Sequence, residues 1–422
     1  MKDIITIKDI GGEIRLGCKK RQEEWWTYKG GKVSLPQLKA DIIHICGFDS
    51  YNPTDAILSN IEPHESGNYI IFNLLRDIKK YSSMMVLTDM LGQVLTRNDD
   101  DTIGIPMEKV LDSIVECKII MLHDHGLSFE LMHQLHEKLD CKFIFVSQTH
   151  YHLTHPNAEG DTSYPELATE DIKLRNLPLI LEKKAHFDKL PITMVVGSSY
   201  SYRQTIESPL YEVHNTTLIP LPADIPFCKS PKAAVREHLG LLPDKKYVFW
   251  GTTSHTLKRK GYKYFIDAMT ALEQLLTPEQ AAQVEIIYAG HSLNRSSLGP
   301  FPILANGYVT SRQEMSVLYR AAHVAVSTTL ADAGPMMISE SLCNETPVVA
   351  FPPCIAGDLI EDGVSGYLVK EYNAKSMACQ IKKALFQSDL EQMSINARKK
   401  YLAFHNKEEI LQSWQVILDS LM

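Results

Sequence analysis

Two carboxylates, eight positions apart, are the most informative feature of this sequence of 422 residues. Asp332 and Glu340 flank a Gly-Pro turn at residues 334–335 and the start of a predicted helix at Met336. A proline suits the first turn of a helix, because its missing N–H would have no partner there. The other free N–H groups can hold an anion such as a phosphate. A buried strand is predicted at residues 346–351, and this order of groups predicts a nucleotide-sugar site.

Further short segments accompany this pattern in a fixed order: residues 219–224, Lys260 with Gly261, residues 288–290, 307–309 and 362–366. With them, the region at residues 218–366 resembles the retaining glycosyltransferases of family 4. The signature of that family is Glu, seven residues and Glu, followed by a short helix and a strand. The resemblance implies an α/β chain of the GT-B fold, in which two Rossmann-like domains face each other across a cleft.

The resemblance gives each acidic residue a role. Glu340 would accept hydrogen bonds from the two ribose hydroxyls of the donor, because a carboxylate has two acceptor oxygens. Asp332 would lie beside the transferred sugar as a catalytic residue, although it is shorter than the usual Glu. The alternative for Glu340 is an acid in the first turn of a helix that is stabilised only by the macrodipole.

A basic turn precedes Gly261. By resemblance, Lys260 would be a catalytic residue that neutralises the diphosphate leaving group, with Arg259 beside it. The alternative is a solvated turn before a helix. The remaining expected donor-binding residues come from strand ends, a base-binding loop and the predicted helix start, although Thr328 could equally be a strand-end residue without a ligand. They are Gly251, Thr252, Gly307, Tyr308, Val309, Thr328, Gly334, Met336 and Met337.

Histidines are concentrated in the first half, where seven of the sixteen lie between His123 and His155. In the family, a histidine after a strand of the first domain contacts the donor sugar. His150 follows a predicted strand at residues 142–146 and is the first choice for a third catalytic residue, ahead of His123 and His152. The Asp-x-Asp pattern at residues 99–101 could bind a metal, but its polar surroundings favour an exposed loop. The resemblance implies that no metal and no cofactor are needed.

Composition limits the partners. A net charge of −8 argues against nucleic-acid binding, and no apolar run is long enough to span a bilayer. The N-terminus does not resemble a signal peptide.

Eight cysteines without paired spacing favour reduced thiols in the cytoplasm. Basic groups at residues 183–184 and 398–400 favour solvated helix faces, with peripheral contact on the inner face of a membrane as the alternative.

Strands and helices alternate in the second half, which predicts a parallel sheet with helices on both faces. Three prolines at residues 220–226 predict a linker. We therefore expect an acceptor-binding domain at residues 1–222 and a nucleotide-sugar-binding domain at residues 223–405. The amphipathic helix predicted at residues 406–422 could cross back to the first domain.

The expected function is that of a retaining glycosyltransferase. Such an enzyme moves a sugar from a nucleotide diphosphate sugar to a hydroxyl of a glycan or lipid-linked acceptor, here in surface polysaccharide synthesis. Three departures from the family pattern, at Thr252, Asp332 and Pro335, keep a second interpretation open. In that interpretation the chain is a non-catalytic paralogue that binds a nucleotide sugar and supports a partner transferase.

Overall fold

The structure is a computed structural model. It describes residues 6–10, 13–17, 37–47, 78, 80–88, 93–98, 101–106, 111–123, 127–147, 178, 181, 184–207, 215–223, 225–252, 258–290, 295–332, 336–387 and 389–422. Two α/β units follow each other along the chain, and each contains a largely parallel sheet. The α/β class predicted from the sequence is therefore confirmed.

The first unit contains a ten-stranded sheet and a separate two-stranded pair, β3 and β8. Its strands are β1 (Thr6–Ile10), β2 (Glu13–Gly17), β3 (Leu38–Lys39), β4 (Ile42–Gly47), β5 (Ser83–Thr88), β6 (Gln93–Asn98), β7 (Asp101–Pro106), β8 (Ile114–Glu116), β9 (Ile119–His123), β10 (Lys142–Ser147), β11 (Ile192–Val196) and β12 (Asn215–Leu218). The hairpin of β6 and β7, which the sequence did not predict, extends antiparallel from β5.

The order of the main strands in the first sheet is β1-β2-β5-β4-β9-β10-β11-β12. Strand order therefore reverses between β4 and β9, which pair in parallel. Strands β9 and β11 are buried at every position, the pattern expected when helices cover both faces of a parallel sheet. His123 is the last residue of β9 and lies at the carboxyl edge of this reversal.

The second unit contains a seven-stranded sheet. Its strands are β13 (Lys246–Thr252), β14 (Val284–Gly290), β15 (Ser297–Leu298), β16 (Phe301–Ala305), β17 (Val324–Ser327), β18 (Val348–Ala350) and β19 (Gly366–Leu368). The order is β15-β16-β14-β13-β17-β18-β19, and every pair except β15 with β16 is parallel. The reversal lies between β13 and β17. Open α/β sheets bind ligands beyond the carboxyl ends of the strands at such a reversal.

Helices cover both sheets. In the described part of the chain they are α1 (Phe129–Leu139), α2 (Ser199–Glu207), α3 (Lys232–His238), α4 (Tyr262–Leu275), α5 (Pro278–Ala281), α6 (Arg312–Ala321), α7 (Met336–Cys343), α8 (Ala356–Leu359), α9 (Ala374–Gln387), α10 (Leu390–Phe404) and α11 (Lys407–Leu421). Ser311 with Glu314 three residues later is a capping pattern that predicts the start of α6. The Ser311 side chain accepts a hydrogen bond from the Glu314 N–H at 3.2 Å, as that pattern requires.

Some strand boundaries differ from those that the sequence predicts. The apolar run at residues 247–250 predicts a strand that ends at Trp250, but β13 continues through Gly251 and Thr252, because both residues pair with the end of β14. The strand predicted at residues 346–351 is shorter and forms β18 at Val348–Ala350. The strand predicted at residues 69–72 lies outside the described residues.

The chain passes between the two units twice, near Leu221 and near His405. Contacts with the second unit hold both of these crossings in place. His405, after α10, donates through Nδ1 to the Leu221 carbonyl at 2.9 Å and accepts through Nε2 from the Ser339 hydroxyl at 3.0 Å. Helix α11 then packs Trp414 and Leu418 into a cluster with apolar residues of the first sheet. The domain boundaries at residues 222 and 405 stay predictions.

Two histidines are fully buried, His44 and His123, and two are partly buried, His323 and His405; we expect all four to be uncharged and to make the fold sensitive to acid. Burial lowers the pKa of His123 and of His323 to about 3 and that of His405 to about 4, and it holds the pKa of His44 well below its usual value. The unfolded chain binds these protons near pH 6.5, so stability is complete above that pH. Each histidine should cost about 1.4 kcal/mol per pH unit as the pH falls from 6.5 towards its folded pKa.

Thermal unfolding between pH 7.5 and 4.5 measures this dependence. The variant His405→Gln keeps a polar group that cannot titrate, so its melting temperature should fall less steeply over the same range. A melting temperature that does not change between pH 7 and pH 5 would contradict the burial of these rings.

Candidate functional site

A cavity of about 310 Å³ lies beyond the carboxyl ends of β13, β14 and β17, at the reversal of strand order. Its volume lies within the range of small-molecule sites, roughly 300–1,000 Å³. Many predicted donor-binding residues line it, namely Gly251, Thr252, Lys260, Tyr308, Val309, Thr328, Met336, Met337 and Glu340. The sequence therefore predicted much of the lining of one cavity from segments that are distant along the chain.

Glycine is required where the chain turns onto the end of β17. Gly261 has a φ of +69°, and a Cβ atom there would lie 1.8 Å from the Thr328 carbonyl oxygen. Any other residue would force the two segments apart. Packing therefore requires glycine at residue 261, and the same packing brings Lys260 to the cavity.

Two further contacts fix this basic turn, a 3₁₀ helix at Lys258–Lys260. The Thr328 hydroxyl donates to the Lys260 carbonyl at 3.3 Å, and the Leu330 N–H donates to the Arg259 carbonyl at 2.8 Å. The Thr328 hydroxyl, for which the sequence left open either a contact with the donor or no ligand, thus contacts the protein backbone in this structure. The Lys260 side chain is held at the edge of the reversal.

Asp332 forms ion pairs with two of the three cations of the turn. Its carboxylate lies 2.7 Å from Nη1 of Arg259 and also pairs with the Lys260 ammonium. Burial alone would raise the pKa of Asp332, but Lys260 and Arg259 together hold it well below its usual range. Neither Asp332 nor Arg259, which are both described residues, lines the cavity. Asp332 is therefore an ionised group whose partners come from the chain itself.

Glu340 has a different environment. It lines the cavity and accepts a hydrogen bond from the Tyr319 hydroxyl at 2.7 Å. Within the described residues, no Lys, Arg or His side chain forms an ion pair with it. Burial raises the pKa of Glu340, against opposing effects of the Tyr319 hydrogen bond and the Arg312 charge. Its oxygens can accept further hydrogen bonds, and a ligand in the cavity could supply them.

The loop at residues 307–309 is attached to the end of β14. The Gly290 N–H donates to the Gly307 carbonyl at 2.7 Å, and Gly307 has a left-handed φ of +67°. Tyr308 follows and is 55% exposed although it lines the cavity. An aromatic ring with this exposure can pack against a flat ligand group.

Sequence reasoning missed several residues that line the cavity, and two of them, Tyr319 and Arg312, lie on α6. Tyr319 belongs to the apolar stripe of that helix, and a tyrosine in such a stripe is usually a core residue. The only available signal was that α6 directly precedes β17, whose carboxyl end borders the cavity.

Other predicted residues cannot be placed or lie elsewhere. His150, Gly334 and the first two aspartates of the Asp-x-Asp pattern lie outside the described residues, and Asp101 begins β7. His123 is completely buried and shares a 3.1 Å hydrogen bond with His44. In the described ranges, no cluster of three or more His, Cys, Asp or Glu side chains is arranged to hold a metal.

Comparison with known proteins gives matches to part of the chain. Residues 236–400 match the family of glycosyl transferases group 1. A stretch of 120 residues is 27% identical to the poly(ribitol-phosphate) α-N-acetylglucosaminyltransferase of Staphylococcus aureus (strain COL). That match covers 28% of this chain and spans only 24% of the length of the relative.

Solved structures give the fold. Sucrose-phosphate synthase from Thermosynechococcus elongatus superposes with a TM-score of 0.61 at 16% identity, over 90% of this chain and 98% of that one. HepE of Anabaena, solved in complex with UDP, superposes with a TM-score of 0.58 at 16% identity, over 91% of this chain and all of the other. The predicted GT-B fold is confirmed.

The ion pairs of Asp332 lead to a prediction about stability. Asp332→Asn leaves two cations without their carboxylate, so the free energy of unfolding should fall by about 3 kcal/mol at pH 7. Because the folded pKa is depressed, the loss should stay constant above pH 4 and shrink only as the pH falls below it. Urea unfolding at several pH values measures both quantities.

The matched control is Asp267→Asn. It breaks a single exposed pair with Lys263, whose side chain is 83% exposed, and such pairs contribute less than about 1 kcal/mol. If the two variants lose the same stability, the ion pairs of Asp332 do not stabilise the site.

Proposed function

We propose that the chain is a retaining glycosyltransferase, because residues 236–400 match the family of glycosyl transferases group 1. It transfers a sugar from a nucleotide diphosphate sugar to a hydroxyl of a glycan or lipid-linked acceptor. One observation carries the proposal. A single cavity at the reversal of strand order combines the unpaired acceptor capacity of Glu340, the Lys260 ammonium and the N-terminus of α7.

Each of these groups suits one part of a nucleotide. The Glu340 carboxylate suits the vicinal hydroxyls of a ribose, since both of its oxygens accept hydrogen bonds. The first N–H groups of α7 and the Lys260 ammonium suit a diphosphate. The exposed ring of Tyr308 lies on the cavity wall and suits a base. Uridine diphosphate is the probe of choice, since HepE of Anabaena was solved with UDP.

Charge stabilisation is the main catalytic contribution that these residues offer. When the bond from sugar to diphosphate breaks, negative charge grows on the leaving phosphate. A fixed ammonium and helix N–H groups stabilise that charge without reorganisation. We propose that the acceptor hydroxyl attacks from the face that the diphosphate leaves, with a donor phosphate oxygen taking its proton. The sugar would then keep its anomeric configuration.

The acceptor side of the proposal rests on the first unit. Its strand order also reverses, between β4 and β9, and that edge is a second natural place for a ligand. The relative from Staphylococcus aureus is named for transfer to poly(ribitol phosphate), which is a polymer. A glycan or lipid-linked acceptor in surface polysaccharide synthesis is therefore the acceptor class that we propose.

The proposal also includes where in the cell the protein acts. No described helix is both long enough and apolar enough to cross a bilayer. The described cysteines are free thiols, and reduced cysteines are typical of the cytoplasm. We propose a cytoplasmic protein that reaches its acceptor at the inner face of the membrane.

One observation favours a second candidate function. Asp332 forms ion pairs with both Lys260 and Arg259, so the carboxylate that would lie beside the sugar is bound to the cations that would bind the diphosphate. A chain locked in this way could bind a nucleotide sugar without transferring it and could support a partner transferase. Release of free nucleotide when an acceptor is added distinguishes the enzyme from the binding protein.

Glu340→Ala tests the nucleotide site. Loss of hydrogen bonds to a charged acceptor should weaken binding of uridine diphosphate by about 1.5–3 kcal/mol. Isothermal titration calorimetry measures the affinity. The control Glu391→Ala removes an exposed acid from the first turn of α10 and should leave the affinity unchanged. Equal affinities for a folded Glu340→Ala protein and the unaltered chain would remove Glu340 from the site.

Lys260→Met tests the catalytic role of the ammonium. The variant keeps an aliphatic side chain but loses the charge that stabilises the leaving diphosphate, so kcat should fall by about 100-fold and more than KM rises. Steady-state rates of nucleotide release measure both constants, with Lys263→Ala as an exposed control from the same region. A change in KM alone would reduce Lys260 to a binding residue.

Activity should also survive EDTA, because the Lys260 ammonium and the N-terminus of α7 would stabilise the leaving diphosphate without a metal. A requirement for added metal would contradict the proposed mechanism.

A further inference from the structure

The Tyr319 side chain reaches the cavity from the protein core. Its ring is 2% exposed and packs against Phe249, with a centroid distance of 4.4 Å. Its hydroxyl points at Oε2 of Glu340, 2.7 Å away. Burial and the neighbouring carboxylate raise the pKa of Tyr319 well above its usual value. The hydroxyl therefore keeps its proton and acts as the donor in this hydrogen bond.

The two helices that carry these side chains are tied together by further contacts. The Thr346 hydroxyl, beyond the end of α7, donates to the Tyr319 carbonyl at 2.7 Å. Arg320, the next residue on α6, donates to Oε2 of Glu345. The position of Tyr319 relative to Glu340 is thus set by backbone and side-chain contacts that lie outside the cavity.

The two acids at the site are both partly buried, but they have different kinds of hydrogen-bond partner. Asp332 has two cations of the chain as partners. For Glu340, the partner recorded among the described residues is the Tyr319 hydroxyl, which is neutral. A neutral donor holds a carboxylate in place and leaves its charge uncompensated, so the remaining acceptor positions stay available to a ligand.

We propose that Tyr319 is a positioning residue, which fixes the Glu340 carboxylate so that the site selects nucleotides with both ribose hydroxyls present. This inference rests on the proposed nucleotide site. The hydroxyl of Tyr319 occupies one acceptor position on Oε2, and the vicinal diol of a ribose takes one position on each oxygen. A buried group that is built to hydrogen-bond a hydroxyl discriminates strongly against a ligand without it.

The experiment compares two ligands and two proteins by calorimetry. Uridine diphosphate carries both ribose hydroxyls, and 2′,3′-dideoxyuridine diphosphate carries neither. The unaltered chain should bind the first ligand at least about tenfold more tightly, because hydrogen bonds to a charged acceptor are lost with the second. Tyr319→Phe should weaken binding of uridine diphosphate about tenfold and change binding of the dideoxy ligand less than twofold.

Tyr247→Phe is the matched control. This tyrosine is also fully buried and packs in the same apolar cluster, and its hydroxyl donates to the Leu242 carbonyl at 3.1 Å. It lies near the start of β13, at the opposite end of the strand from the cavity. The control should lose stability and keep the preference for uridine diphosphate.

A pH series gives an independent readout that a merely structural role would not change. The Tyr319 hydrogen bond lowers the pKa of Glu340, so affinity for uridine diphosphate should be lost at a higher pH in Tyr319→Phe than in the unaltered chain. The other ionisable groups around Glu340 are unchanged in the variant and serve as a constant background: Lys260, Arg312, Cys343, Arg398 and His405.

The outcomes separate this inference from the proposed function. If the unaltered chain does not distinguish the two ligands, or binds neither, the ribose role of Glu340 fails and this inference fails with it. If it distinguishes them and Tyr319→Phe does so equally well, only the role of Tyr319 is overturned. Equal weakening of both ligands would also overturn that role, because the hydroxyl would then support the cavity as a whole.

Discussion

A largely buried carboxylate needs a partner, and the second unit contains two such carboxylates at one edge of its sheet. Leaving a charge in a poorly solvated place without compensation costs several kcal/mol. Asp332 is compensated inside the chain by Arg259 and Lys260. Glu340 has a neutral tyrosine hydroxyl and a cavity. Asp332 therefore holds the basic turn in place, and Glu340 remains available to a ligand.

The sheet explains why both acids lie at the same edge. Strand order reverses between β13 and β17, which opens a crevice beyond their carboxyl ends. The basic turn is packed against the end of β17 so closely that only glycine fits at residue 261. Helix α7 begins on the other side of the crevice and brings Glu340 within reach. Backbone packing thus fixes the cations and the acid before any ligand binds.

Local patterns predicted much of this arrangement. The capping serine and apolar periodicity of α6, the strand end at Gly290, and the helix start at Met336 are all properties of short segments. They could be identified from the sequence because the residues that define each one are close together along the chain. Parallel pairing then brings such ends to one edge, so the lining of the cavity followed as well.

Contacts between distant segments could not be predicted in this way. Asp332 pairs with residues 72 and 73 positions away, and only the packing at Gly261 decides that the short aspartate faces the cations. The role of Tyr319 was hidden for a related reason, since 21 residues separate it from Glu340 and its helix shows an ordinary apolar stripe. The choice of His150 stays a prediction, because it lies outside the described residues.

The proposed roles of Glu340, Lys260 and α7 all depend on where a nucleotide binds. A crystal structure of the chain with uridine diphosphate is the most direct measurement. We expect the ribose hydroxyls within hydrogen-bonding distance of both Glu340 oxygens, with the diphosphate between the Lys260 ammonium and the N-terminus of α7. A nucleotide bound outside this cavity, or inside it with the ribose turned away from Glu340, would contradict the account.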